Sequence, residues 1–356
     1  MILIVTSRGD AHALVAERAF QKKGAPFCTW YTDDQPPTLT MAFQPGRARP
    51  AGILMCDGKQ IALDDIRTLW HRKPRPMQPP AALSPRLIQE GQLETGEGLR
   101  ALFLHLEDRF WVNPPWHERE LALSKVHQLE AASVLGFRVP RTLLTNDPRE
   151  LQEFYRRCGG EVIYKLVSGV AIPGMTQSGR VLYTTKLTPR HLADVERLVA
   201  APGLFQEYVP KRAELRVNVI GRKVFATLID SQQAEESRVD WRRGQDRGLR
   251  FQSHELPPSI EERCRAFTRS LGLAFGALDL ILTPDGDYVL LEINPAGQWL
   301  WIERETQQPL LDNFTEMLVQ GTTDYADAPP ARRVTPTDTL QYLGELERHG
   351  MKPAHP

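Results

Sequence analysis

The run DYVLLEINPAGQWLWIE, Asp287 to Glu303, sets a carboxylate and an amide two residues apart in an otherwise apolar stretch. In an extended strand, residues two apart project from one face about 6.5–7 Å apart. Glu292 and Asn294 should therefore point together, with Val289, Leu291 and Ile293 covering the other side. Upstream, Asp279 interrupts a second apolar run between Leu278 and Leu280. An unpaired buried carboxylate is costly, so these oxygens need a cation or a dense set of donors. Two carboxylates and an amide oxygen, with no histidine or cysteine beside them, suit Mg²⁺, a hard ion that completes its shell with water and phosphate. Capping by backbone amides, or pairing with an arginine such as Arg304, would meet the same need and stays open at this level.

A second constellation lies in YKLVSGVAIPGMTQSG, where Lys165 stands in an apolar strand and is followed by Ser168, Gly169, Gly174, Ser178 and Gly179. Such a loop can close backbone amides over phosphates, although Gly169 and Gly174 are followed by Met-Thr and not by the Lys-Ser/Thr of a Walker A motif. A loop without function reads the same way. In AELRVNVIG the alternation puts Glu214, Arg216 and Asn218 on one face and Leu215, Val217 and Val219 on the other, a pattern that a solvated face also explains. FQEYVPK reads as a strand broken at Pro210, whose backbone could present an N–H and a C=O to a base edge. GEGLRA, Gly96 to Ala101, matches GxGxxA, but no strand precedes it and its period is helical, so it is no dinucleotide fingerprint.

These groups must be carried by α/β and α+β elements. Strand, helix and strand signals alternate from ILIVTS through residues 11–23 to FCTWYT; Asp57-Gly58 between apolar runs predicts a hairpin, and IRTLWHRKP a strand stopped at Pro74. Helical periods cover about 84–110 and about Glu118–Leu135, the latter ending at Gly136. From Val162 the texture shifts to antiparallel strands, with a charged, aperiodic stretch at 232–256 read as a loop. The expected division is an N-terminal α/β domain (1–115), a central domain with the glycine loop (116–200), a C-terminal lobe with the metal site (201–322) and a polar Pro-rich tail (323–356).

With 44 basic and 44 acidic residues the chain has no global field for nucleic acid or a basic partner, so a charged ligand must be held locally. The four cysteines form no CxxC pair and read as thiols of a reducing compartment. No signal peptide or ~20-residue apolar span is present, which predicts a cytoplasmic protein without a membrane partner.

In order along the chain, SKVHQLEAASVLGFRVPRTLLTNDP, YKL at Lys165, LFQEYVPKRAELRVNVIG, IDSQ from Ile229, VDWRR from Val239 and FGALDLILTPDGDYVLLEINPAGQWLWIE resemble an ATP-grasp ligase. The resemblance covers about residues 60–320. Gly297-Gln298-Trp299 and WHRKP at Trp70–Pro74 point to the graspetide maturases, the microviridin-type ligases that crosslink ribosomal peptides. It implies an ATP-grasp fold and ATP and Mg²⁺ as cofactors. Lys125 and Lys165 would bind phosphates with the loop at Ser168 and Gly169, and the backbone of Glu207, Tyr208 and Val209 would bind adenine. Glu214 would face ribose, Arg216 and Arg242 the γ-phosphate and the acyl phosphate made from it, and Asp279, Glu292 and Asn294 the metal. The implied partner is a ribosomal precursor peptide with a leader and an acidic core, and a homodimer is expected. Two rivals share most of these residues: a ligase adding a free amino acid to a protein or peptide, and a nucleotide-binding adaptor without catalysis. The presence of all seven phosphate and metal residues weighs against the adaptor.

Overall fold

The structure is a computed structural model and describes residues 1–356 apart from 34–37, 44, 47–50, 57, 76–83, 168–183, 234, 236, 244–247 and 352–356. Its first strand, β1 (Ile2–Thr6), is buried at every position. Helix α1 (Ala11–Lys23) follows; the Asp10 carboxylate caps it by accepting from the Ala13 N–H, and Gly24 closes it with φ 64°. β2 (Phe27–Tyr31) then lies parallel to β1. β3 (Leu39–Ala42), β4 (Ala51–Cys56) and β5 (Lys59–Ala62) form a small antiparallel sheet in which β4 and β5 make the expected hairpin. β6 (Thr68–His71), α2 (Pro85–His105) and β7 (Phe110–Val112) complete a parallel sheet of order β2-β1-β6-β7.

The cysteine reading needs correction. β4 passes beside β2 and joins Cys28 to Cys56 in a disulfide, leaving only Cys158 and Cys264 as buried thiols. A spacing of 28 residues carries no framework signature, so only the tertiary approach of the two strands reveals the pair. With it goes the argument for a reducing compartment.

Where periodicity predicts one helix over Glu118–Leu135, there are two, α3 (Pro115–Leu123) and α4 (Lys125–Val134). They break at Ser124 (φ −130°, ψ 76°), whose hydroxyl accepts from the His127 N–H. A one-residue interruption leaves the apolar period intact, and the serine cap is its local cause. Next come β8 (Thr142–Thr145), α5 (Pro148–Arg157), β9 (Val162–Lys165), β10 (Thr185–Lys186), α6 (Pro189–Ala193) and β11 (Gly203–Glu207), whose strands form an antiparallel sheet ordered β10-β9-β11-β8.

The last sheet contains β12 (Ala213–Ile220), β13 (Lys223–Ile229), β14 (Phe251–His254), β15 (Phe275–Leu282) and β16 (Tyr288–Asn294), ordered β14-β13-β12-β15-β16, with α7 (Pro258–Ser270) between β14 and β15. β14 falls within the charged stretch read as a loop; its Phe251 packs edge-on against Trp301, an anchor that local composition hides. Leu215, Val217, Leu278, Leu280, Leu290 and Ile293 from one face of this sheet pack with Ala132, Cys264 and Phe267 of α4 and α7. Each buried Leu, Val, Ile or Phe among them contributes about 1.5–3 kcal/mol, which allows the opposite face to carry charge.

α8 (Leu300–Thr306), α9 (Leu310–Gln320) and α10 (Pro336–Arg348) close the chain. Tyr325, Val334 and Leu343 are buried in one core with Ala16 and Phe20 of α1 and with Trp299 and Phe314. Among the described residues no helix is long and apolar enough to cross a membrane.

Candidate active site

Side chains from the β10-β9-β11-β8 and β14-β13-β12-β15-β16 sheets, α3, α4 and the end of β6 line one cavity of about 650 Å³. It collects Lys125, Lys165, Glu207, Tyr208, Val209, Glu214, Arg216, Arg242, Asp279, Glu292 and Asn294, the described residues that the sequence singled out. Ser168 and Gly169 lie outside the described residues.

The carboxylates meet through strand register. Asp279 of β15 stands opposite Glu292 of β16, and Asn294 is two residues further along β16. The register slips between Asp279 and Leu280, which corrects the strict alternation read from the sequence: Val289 and Leu291 group with Val209 and Ile281, whereas Leu290 and Ile293 enter the core on the other face. A bulge re-aims side chains in this way beside functional sites. Val209, Ile281 and Leu291 thus give the cavity an apolar wall, while Glu292 opens to it with a third of its side chain exposed.

Cations answer the carboxylates, as one of the open readings allowed, but Arg304 is not among them; it pairs with Glu305. Arg216 Nε lies 2.8 Å from Asp279 Oδ1, and Lys125 Nζ 2.9 Å from Glu292 Oε2. Burial would raise the Glu292 carboxyl, yet Lys125 and Lys165 more than offset it and hold it down to about 2. For Asp279 burial wins, and its pKa is raised despite Arg216. Burial likewise raises Glu214, which accepts a 2.7 Å bond from Lys211 Nζ, and lowers Lys165. Lys165 has no ion-pair partner among the described residues. It is a half-buried ammonium on a cavity wall, and that calls for an anion.

The donor set suits a metal delivered with phosphate. Two carboxylates and one amide do not make a closed cage, and no cluster of three or more His, Cys, Asp or Glu exists among the described residues. Mg²⁺ binds through one or two carboxylates plus phosphates, and Asp279, Glu292 and Asn294 meet that requirement.

Four positioning residues escaped the sequence reading. Asp240 grips Arg242 through Nε at 2.8 Å and Nη2 at 2.6 Å, which raises the arginine's pKa, and also accepts from the Thr184 N–H at 3.3 Å, just past the glycine loop. Arg72 Nη1 donates to Ala296 O at 2.5 Å and to Gly297 O at 3.3 Å, gripping the loop after Asn294. Asn113 donates to Phe275 O and Pro295 O at 2.8 and 2.7 Å and accepts from the Ala274 and Phe275 N–H groups. Gln128 accepts from the Ile293 N–H at 2.9 Å. The fixed loop requires glycine at 297, where an added Cβ would overlap the Ala277 Cβ. Of these four, Asp240, Arg72 and Gln128 stand in stretches already quoted, VDWRR, WHRKP and SKVHQLEAASVLGFRVPRTLLTNDP, and Asn113 in none.

No family model matches the chain. "Probable alpha-L-glutamate ligase 1" of Shewanella denitrificans is 26% identical over 200 residues, 54% of this chain and 63% of that relative, so the match spans less than two thirds of its length. Solved structures extend the likeness. The RiPP-associated ATP-grasp ligase of Chryseobacterium gregarium, in complex with ADP and a leader and core peptide, superposes with TM-score 0.80 at 29% identity over 94% of this chain and 98% of that one. The macrocyclase MdnC of Microcystis aeruginosa, bound with precursor peptide MdnA, does so with TM-score 0.76 at 28% identity over 90% and 99%. The fold is that of the ATP-grasp ligases, and the resemblance to the peptide-maturing group is borne out.

Proposed function

We propose that this chain, an ATP-grasp ligase of the graspetide-maturing group, activates Asp or Glu side chains of a ribosomal precursor peptide and joins them to Ser or Thr hydroxyls or Lys amines of the same peptide. The observation that carries the reading is the cavity wall itself: Lys165, in no ion pair among the described residues, faces the Asp279–Glu292 pair, with Arg216 and Arg242 held in place beside it.

Lys125 and Lys165 hold the nucleotide's phosphates. The backbone of Glu207 to Val209 takes the adenine against the Val209–Ile281–Leu291 wall, and Glu214, oriented by Lys211, faces the ribose. Asp279, Glu292 and Asn294 would hold Mg²⁺, which when bound neutralises phosphate charge. A substrate carboxylate oxygen attacks the γ-phosphorus, the bond to the β-phosphate oxygen breaks and ADP leaves. Arg216 and Arg242, planar forks suited to developing phosphate charge, hold the acyl phosphate. A hydroxyl or amine then attacks its carbonyl carbon and inorganic phosphate departs. Ordering and electrostatics do the work, with no enzyme nucleophile.

We place the reaction in the cytoplasm, where ATP and nascent peptide meet, and carry forward a leader segment, an acidic core and a homodimer as parts of the proposal. The curated glutamate ligases favour a second reading, addition of a free amino acid. Mass spectrometry separates the two. The purified chain, ATP and Mg²⁺ are incubated with peptides encoded by short reading frames beside this one. Loss of one water per ADP formed is expected. A gain of one residue in mass, or ADP release driven by free glutamate alone, would overturn macrocyclisation.

A further inference from the structure

The ring-closing half of this reaction has an unmet need: an acceptor hydroxyl must lose a proton as it attacks, and no residue assigned above has that role. Lys125, Arg216 and Arg242 are cations in ion pairs, and Asp279 and Glu292 are committed to cations or metal. The same cavity holds a pair of the right type at its far wall. His71, at the end of β6, places Nδ1 2.7 Å from Oε2 of Glu118, in the first turn of α3, and both side chains line the cavity. The two are mostly buried, with 14% and 13% of their side chains exposed, and the imidazole is braced edge-on by Phe103.

Two details mark the pair as poised for a ligand. The other Glu118 oxygen, Oε1, is buried without a hydrogen-bond partner among the described residues. An ionised carboxylate only accepts, so its bond to Nδ1 puts the ring proton there and leaves a lone pair on Nε2, for which the described residues supply no donor. Location agrees. The next residue, Arg72, grips Ala296 O, and the Ala296 N–H bonds Asn294 Oδ1 at 3.0 Å, so the imidazole stands one residue from the support of the reacting end of the site.

We propose that His71, oriented by Glu118, is the base for ring closure and that the acceptor it serves is a hydroxyl, so that the product is an ester. This rests on the acyl-phosphate reading above. As the substrate oxygen bonds to the acyl carbon, its proton passes to Nε2, the carbon–oxygen bond to phosphate breaks, and inorganic phosphate leaves. Glu118 stabilises the imidazolium until it releases the proton to solvent. A histidine backed by a buried carboxylate is the arrangement that activates a hydroxyl elsewhere in acyl transfer.

The test divides the two half-reactions. The full chain, ATP, Mg²⁺ and the peptide that supports ADP release are mixed with hydroxylamine, which is uncharged at neutral pH and needs no base to attack. Hydroxamate then reports the acyl phosphate, and loss of one water reports the crosslink. His71→Asn should lower the crosslink-to-hydroxamate ratio about a hundredfold, the usual scale of general-base catalysis, and Glu118→Gln should lower it by less. Added imidazole should partly restore crosslinking in His71→Ala. Equal loss of hydroxamate and crosslink in both variants would make the pair structural, and an unchanged ratio would remove it from the chemistry; either overturns the proposal while the acyl-phosphate reading survives. Crosslinks that resist mild alkali would mean an amine acceptor and overturn the ester assignment. If no peptide drives ADP release by the wild-type chain, the functional reading itself fails, and the base falls with it.

Discussion

Each acid on the cavity wall is answered before any ligand arrives: Glu207 by Arg141, Glu214 by Lys211, Asp240 by Arg242, Asp279 by Arg216, Glu292 by Lys125 and Glu118 by His71. Nucleotide and metal would therefore exchange partners with existing pairs, the cations turning to phosphate and the carboxylates to Mg²⁺, and so avoid exposing bare charge. Two outcomes follow at this scale. Lys165 is an ammonium whose burial outweighs the nearby carboxylates and which makes no ion pair among the described residues, so Lys165→Met should leave the unfolding midpoint level or higher while ATP-analogue affinity falls about tenfold to a hundredfold, the value of a charge-assisted hydrogen bond or two. Calorimetry alongside urea melts reads both; an unchanged affinity would clear Lys165 of the phosphate role. Glu292→Gln should abolish ADP formation while the fold persists. Because only two of the described carboxylates, Asp279 and Glu292, belong to the proposed metal set, Mn²⁺ should bind weakly to the wild-type chain alone and tightly once an ATP analogue is added, and equilibrium dialysis that finds tight binding without nucleotide would contradict a phosphate-delivered metal.

At the scale of elements, what was legible in the sequence follows from what repeats. β12 declares itself by alternation and β15 and β16 by apolar runs, in which Asp279 and Glu292 stand out because they interrupt them. The break at Ser124 does not, since one non-helical residue hardly disturbs an apolar period; yet it sets Lys125 at the first position of a new helix, where the dipole disfavours a cation and Glu292 compensates. The bulge beside Leu280 is silent for the same reason, as are Asn113 and Arg72, which act on backbone groups more than a hundred residues away. Arg72 is the sharpest case. Its fork spans Ala296 O and Gly297 O while Nε lies 3.4 Å from Asp10 Oδ2, a reach that one ammonium cannot reproduce. Arg72→Lys should cut ADP formation by tenfold or more with nucleotide affinity nearly kept, and Arg72→Ala should cost about 3–5 kcal/mol of stability, the usual cost of stripping a buried charge cluster of one member. Full activity in Arg72→Lys would show that the loop after Asn294 holds its shape unaided.

Across the whole molecule the N-terminal sheet, the C-terminal helices and the tail share one core, and a fully buried acid sits at their junction. Glu303 of α8 is fully buried; its Oε2 accepts from the Leu311 N–H at the start of α9 at 2.6 Å, and its Oε1 from the Thr339 hydroxyl of α10 at 2.7 Å. Burial outweighs those bonds and pushes the carboxyl up to about 7 from an ordinary 4.5. The folded state therefore holds this proton more tightly than the unfolded chain. The stability it contributes is complete below pH 4.5 and is lost as pH rises through about 7. Glutamine copies the protonated form, accepting from Leu311 and donating to the Thr339 oxygen, without the charge. Glu303→Gln should thus gain about 2–3 kcal/mol on the wild type between pH 5 and pH 8, read from urea melts at the two pH values, with ADP formation little changed because the residue lies outside the cavity. A difference between variant and wild type that stays constant with pH would mean that Glu303 is ionised throughout, and that the docked tail owes nothing to its proton.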